Sequence, residues 1–425
     1  MTDNPFGFSL PGEGGDDPKR PGSGDPNNPG GWPPYGMPED IAGKIPLFAE
    51  LQKLMSWQGG PVNWDLARQT AISAIAGSIR DFRSDERSKV TEALRLADMW
   101  LDPATELPSG VSATEAWSRV EWVEKTLPVW STLCDPVASR VVSAMGSALP
   151  AEAQAQAGPL MGMMSQMGGM MFGAQVGQAL ASLAAEVLSS TDVGLPLGPA
   201  GTAVLLPENV AAFGSGLERP DEEVRLYLAL REAAHHRLFG HVPWLRQRLL
   251  DSVDTYARGI TVDTSKIEQA MTQIDPGNPE SMQEALSSGM FEPEESPEQQ
   301  AALRRLETLL ALIEGWVDAV VADAASTRLP GSEALRETLR RRRATGGPAE
   351  QTFATLVGLE LRPRRLRDAA ALWQALTEHR GIVGRDAVWA HPDLLPTADD
   401  LDEPEKFAAS GDDDGSLSIE DLEEE

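Results

Sequence analysis

The sequence predicts a mainly α protein, and three observations carry that expectation. Between residues 41 and 403 apolar side chains recur every three or four positions, the period of an amphipathic helix. Strand signals shrink to one short run, Ala203 to Leu206, with Gly201 before it and Pro207 after. Both ends depart from the pattern: residues 1 to 40 are rich in Gly, Pro, Asn and Asp, and residues 399 to 425 hold thirteen acids and one Lys.

In chain order, residues 1 to 40 have too few apolar groups to offset the entropy of ordering and are predicted disordered. They lack the basic start and apolar run of a secretory signal, which points to a cytoplasmic protein. An N-terminal helical region, 41–150, follows, with helices expected over Ile41 to Trp57, Trp64 to Arg83, Asp85 to Trp100 and Ser112 to Thr126. Trp100, Trp117, Trp122 and Trp130 fall at helical spacing and are read as core.

Residues 153 to 185 carry no charge and are rich in Met, Gly and Ala. Gln154, Gln156, Gln166, Gln175 and Gln178 argue against a membrane span. Gly169, Gly173 and Gly177 permit close helix approach, so a buried hairpin is expected. A C-terminal helical region, 331–403, and an acidic disordered tail, 404–425, complete the chain; Ser418 to Leu422 form a short amphipathic piece suited to a partner.

At 425 residues and 41% apolar content the chain can build two or three compact units. Cys134 is its only cysteine, which rules out an internal disulfide and a thiolate metal cluster. A net charge of −29 disfavours a general nucleic-acid role, whereas the acidic tail could meet a basic partner. No Gly-rich phosphate loop, G-x-S-x-G elbow or C-x-x-C pair occurs.

The chemistry concentrates in PDEEVRLYLALREAAHHRLFGHVPWL from Pro220, where Pro and three acids open a helix and Gly240 and Pro243 mark its end. Three of the five histidines, His235, His236 and His241, lie here. In the zinc motif H-E-x-x-H, two imidazoles at i and i+4 bind the ion and the Glu deprotonates its water. This chain reads Arg231-Glu232-Ala233-Ala234-His235: the base position and second ligand are kept, and the first ligand is an Arg. A guanidinium has no lone pair for a metal and repels a dication. His241 stands six residues beyond His235 as a possible further donor, or as a histidine serving the helix dipole. The structural alternative makes Glu232 and His236 a surface i,i+4 pair and His235 a satisfied polar group.

Arg231 to Leu245, REAAHHRLFGHVPWL, resembles the motif helix of the type 2 zincin-like metallopeptidase family, a group of actinobacterial proteins classed as hydrolases whose members show HEAAH here. The resemblance runs from about Ile41 to Phe407 and includes LIEGWVDAV at Leu312 to Val320, LVGLELRPRRLRDAAALW at Leu356 to Trp373, and WAHPDLLPTADDLDEPEKF. It implies a zincin-like helical core over 151–330, with the motif helix at 221–239 and a third-ligand helix at 303–325 in which Glu314 is a zinc ligand. Glu314 sits among Leu, Ile, Trp and Val, where a carboxylate is costly unless it is paired or metal-bound.

Two functions follow. One is a zinc-dependent metallopeptidase acting on a peptide or protein, with His235, Glu314 and His241 on zinc and Glu232 as general base. The other is an inactive zincin-fold scaffold or interaction protein in which an Arg231–Glu314 ion pair replaces zinc. The connector Asp275 to Glu298, with seven acids and no base, covers the cleft or is a solvated insertion. Arg340 to Arg343, Arg362, Arg364, Arg365 and Arg367 are expected mainly in internal salt bridges, His379 is isolated, and His391 before Pro392 is assigned to a turn.

Overall fold

The structure, a computed structural model, describes residues 57, 60–78, 83–147, 158–258, 296–344 and 365–410. These belong to one compact unit. Apart from Trp57, the expected helix at Ile41 to Trp57 lies outside the described residues, as do the N-terminal segment, most of the 275–298 connector and the acidic tail beyond Ser410.

Helices dominate, as expected. Helix α1, Trp64–Ile75, starts where the Asn63 side chain accepts the Leu66 N–H at 3.0 Å. It tightens into a 3₁₀ turn at Ala76–Ser78 and so ends short of the predicted Arg83. Helix α2, Ser84–Leu101, opens with the Glu86 carboxylate accepting the Arg83 N–H at 2.9 Å.

The expected helix at Ser112 to Thr126 is corrected at its start. Ala113–Ala116 is a strand, β1, parallel to β2 at Thr202–Leu205, with Ala113 opposite Thr202 and Ala116 opposite Leu205. Gly201, at φ 72°, makes the turn whose carbonyl accepts the Ser112 and Ala113 N–H groups. Four residues carry too little pattern to announce a strand, and pairing with a distant partner decides the matter. Helix α3, Arg119–Ser147, then carries Trp122 and Trp130 into the core beside Trp117, while Trp100 is half-buried.

The Met/Gly-rich stretch is a single helix, α4, Gly158–Glu186, and not a hairpin. Its glycines serve packing. A Cβ at Gly173 would stand 2.6 Å from the Asn63 carbonyl oxygen, and one at Gly177 2.5 Å from that of Ala67. Gly169 lies against the Trp57 ring, and its carbonyl accepts the Asn63 N–H at 2.9 Å. Among the described residues no helix is long and apolar enough to cross a membrane.

After β2 come α5 (Pro207–Gly214), α6 (Asp221–His241), α7 (Pro243–Arg258), α8 (Pro297–Ala325), α9 (Ser332–Ala344), α10 (Leu366–Ala387) and α11 (Pro404–Ala409). Helix α6 runs through the middle, buried from Leu226 to Leu238, and meets α2, α8 and β2. Helix α11 lies within the segment expected to be disordered. It is held because Arg380 on α10 donates to the carbonyls of Phe407 and Ala408 and stacks on Phe407. Six residues of a charged stretch gave no such signal in sequence.

Candidate functional site

Burial of α6 on all sides forces its polar side chains to find partners inside the protein. They form separate groups. In the first, Arg231 and His235, one turn apart, face Glu314 of α8. Arg231 donates to Glu314 Oε2 at 2.5 Å, and His235 Nε2 lies 3.1 Å from Glu314 Oε1. His235 Nδ1 donates to the Arg231 carbonyl at 2.8 Å, which fixes the ring. Arg343 of α9 also contacts Glu314 Oε2. Gly194, at φ 78°, leaves room for this carboxylate, since a Cβ there would stand 3.2 Å from Glu314 Oε1.

The cluster extends to two further carboxylates. One turn along α8, Asp318 accepts from Arg336 at 2.7 Å and Arg340 at 2.6 Å, with Arg231 at 4.0 Å. Asp192 receives Arg342 at 3.3 Å and Arg343 at 3.9 Å. Three carboxylates thus face five guanidiniums and the His235 ring. Burial alone would raise the Glu314 carboxyl, but Arg343, His235 and Arg231 outweigh it and hold the group well below the usual carboxylate range. Asp318 is lowered in the same way, by Arg336 foremost against the cost of burial. Burial lowers Arg231, yet Glu314 reverses this and the net shift is upward.

Glu232 points elsewhere. Its carboxylate accepts from Ser190 Oγ and Thr191 Oγ1, both at 2.5 Å, from Val204 N at 3.0 Å, Thr191 N at 3.2 Å and His236 Nε2 at 3.3 Å. Burial opposes its charge, but these donors, His236 first, bring its pKa down to about 2. The Glu232–His236 pair therefore exists, though buried and not on the surface. With all its lone-pair directions occupied, Glu232 ties α6 to β2 and the 190–191 loop, and it offers no free basic oxygen. Arg237 is buried on a third side, bound to Asp98 and Asp102.

His241 is exposed at the end of α6, where Nε2 lies 3.1 Å from the Ser109 carbonyl. Of the sequence-derived set, the structure brings together Arg231, His235 and Glu314; Glu232 and His241 each have other partners. Arg343, Asp318 and Asp192 were not singled out for the site. Asp318 could have been found as Glu314's i+4 neighbour on an apolar helix, whereas Asp192 and Arg343 meet Glu314 only through tertiary packing. The expected internal pairing of the arginines is met by Arg340 to Arg343 and by Arg365, which binds Asp402, while Arg362 and Arg364 lie outside the described residues. His379 pairs with Glu405, and His391 accepts the Asp393 N–H in a turn.

Zinc does not fit these residues. Among the described residues no group of three or more His, Cys, Asp or Glu is arranged to hold a metal ion. The first-ligand position is filled by a guanidinium already bonded to the carboxylate that would coordinate. The adjoining cavity, bordered by Asp192, Arg231, His235 and Arg343, measures about 10 Å³, room for one water. A dication would add positive charge where cationic groups already outnumber carboxylates.

Comparison with known proteins places these features in context. The sequence profile of a family described as zincin-like metallopeptidase matches residues 62–408. No curated protein matches the sequence. A crystal structure from Chloroflexus aurantiacus, described as a candidate hydrolase with a novel fold, is similar at TM-score 0.56 and 22% identity, over 83% of this chain and 99% of that one. At that identity the likeness concerns the fold alone.

Proposed function

The chain belongs to the zincin-like metallopeptidase family, and from that premise we propose that it is a non-catalytic member, a zincin-fold scaffold that acts by binding other molecules. The observation that carries this reading is the 2.5 Å bond from Arg231 to Glu314. A permanently charged guanidinium occupies the first-ligand position and neutralises the carboxylate that would complete a metal site. Glu232 supports the same conclusion, since a base must be free to take a proton and this carboxylate is saturated by five donors and held at about 2.

One observation favours the family's hydrolytic activity on a peptide or protein instead. His235 keeps the Nδ1-to-carbonyl bond that orients metal-bound histidines, with Nε2 toward Glu314. That activity would require Arg231 and Arg343 to leave Glu314 and a further donor to arrive. Zinc content separates the two readings. It should be measured on purified wild type and His235→Ala, with thermal unfolding recorded with and without a chelator. Substoichiometric zinc in both and an unchanged melting temperature are expected. About one zinc per chain in wild type, lost in His235→Ala, would overturn the scaffold reading.

A further inference from the structure

A groove of about 1000 Å³ lies between α7, α8 and the 392–398 segment. Trp244, half-buried, and Leu395 give it an apolar wall, and the exposed Leu394 adjoins it. The Trp244 indole N–H is already donated to the Trp389 carbonyl, so its ring presents only an apolar surface. On the rim stand Arg248, Arg304 and Arg305, all exposed and without an ion pair to any described residue. Of the two carboxylates in the lining, Asp251 accepts from Gln247, and Asp393 is exposed beside the His391 Nδ1 that accepts its own backbone N–H. In a chain of net charge −29, three unpaired arginines beside an apolar wall are a surface complementary to an acidic, amphipathic peptide.

We propose that this groove binds the chain's own C-terminal segment, residues 411–425, in cis. That segment carries eight acids and no base, and Leu417, Ile419 and Leu422 are interleaved with Glu420, Asp421 and Glu423. Its apolar residues meet the Trp244–Leu395 wall while its carboxylates reach the arginines. The chain length permits it. Ala398 lies in the groove, and the path from there to Ser410 is a short coil plus α11, at most about 33 Å. Leu422 is twelve residues beyond Ser410, a reach of up to about 43 Å. Tethering gives effective concentrations around millimolar, so a weak intrinsic affinity suffices to keep the groove filled.

The test uses full-length chain carrying spin labels at Arg258→Cys, beyond the groove on α7, and Ser418→Cys. Cys134 does not interfere: it is buried, and burial pushes its thiol up to about 12. A narrow short-distance population is expected. It should vanish in Arg248→Glu/Arg304→Glu/Arg305→Glu and in Leu417→Ser/Ile419→Ser/Leu422→Ser, and weaken at about 1 M salt, where screening acts within about 3 Å. The second variant changes only the tail, so its result does not depend on the fold tolerating the first. A broad distribution shared by parent and variants overturns the proposal. So do short distances that persist in the arginine variant, which mean docking elsewhere, or that disappear on dilution with unlabelled chain, which mean docking on a second copy.

Discussion

Removing the Arg231 guanidinium would leave the Glu314 carboxylate buried beside His235 with only Arg343 to balance it. Breaking a buried pair from one side costs about 3–5 kcal/mol, because the surviving charge stays desolvated. Arg343 moderates this, so Arg231→Met is expected near the lower end, about 3 kcal/mol by urea denaturation. Arg231→Met/Glu314→Leu should lose less than the two single changes combined, with a coupling of about 1–3 kcal/mol. Strict additivity would mean that the two groups do not interact in solution. The pair itself was legible in the sequence. A guanidinium at the first position of H-E-x-x-H and a carboxylate in an apolar helix each demand a partner, and each is the simplest partner for the other. The roles of Glu232 and His241 were not legible, because their fates depend on the direction each side chain takes from α6. Residues 190–191 and Val204, which capture Glu232, lie 28 to 42 positions away.

At the scale of elements, period and punctuation located α2 and α6 to within two residues, whereas α8, placed at 303–325 by the family resemblance, starts six residues earlier at Pro297. Where local and tertiary preferences disagree, the sequence misleads, as β1 and the unbroken α4 show. The α4 glycines were read as allowing close helix approach, but each also costs about 1 kcal/mol relative to Ala inside a helix. In α4 that cost is offset by the approach of α1, whose backbone fills the space a side chain would take. Gly177→Ala tests this balance. Helix propensity alone predicts a gain of about 1 kcal/mol. The new Cβ, 2.5 Å from the Ala67 carbonyl oxygen and 2.7 Å from Thr70 Cβ, must instead push the helices apart. A net loss of about 1–3 kcal/mol is expected in chemical denaturation. Net stabilisation would show that α1 and α4 do not pack this closely.

Over the whole molecule, the buried carboxylates link folding to protons, and the sign follows from their shifts. Glu232, Glu314 and Asp318 are all held below their unfolded values. Their contribution is fully present above the unfolded range and is lost as pH falls through the folded values. Asp135 and Glu186, raised mainly by burial, act in the opposite sense, but both are only partly buried. Glu232 moves from 4.5 to about 2, which corresponds to roughly 3 kcal/mol held at neutral pH and surrendered between those limits. Glu232→Gln cannot take part in that exchange. The stability gap between wild type and Glu232→Gln should therefore be constant from neutral pH down to about 5 and then close with a slope approaching 1.4 kcal/mol per pH unit. Denaturant midpoints taken between pH 3 and 7 would reveal it. A gap unchanged down to pH 3 would mean that Glu232 titrates no differently in the folded and unfolded chain, and that the donors around it do not hold its charge. A gap that instead shifts in favour of wild type as pH falls from neutral towards about 5 would give Glu232 a pKa raised above its unfolded value, the state a general base needs, and would return this helix to the catalytic reading.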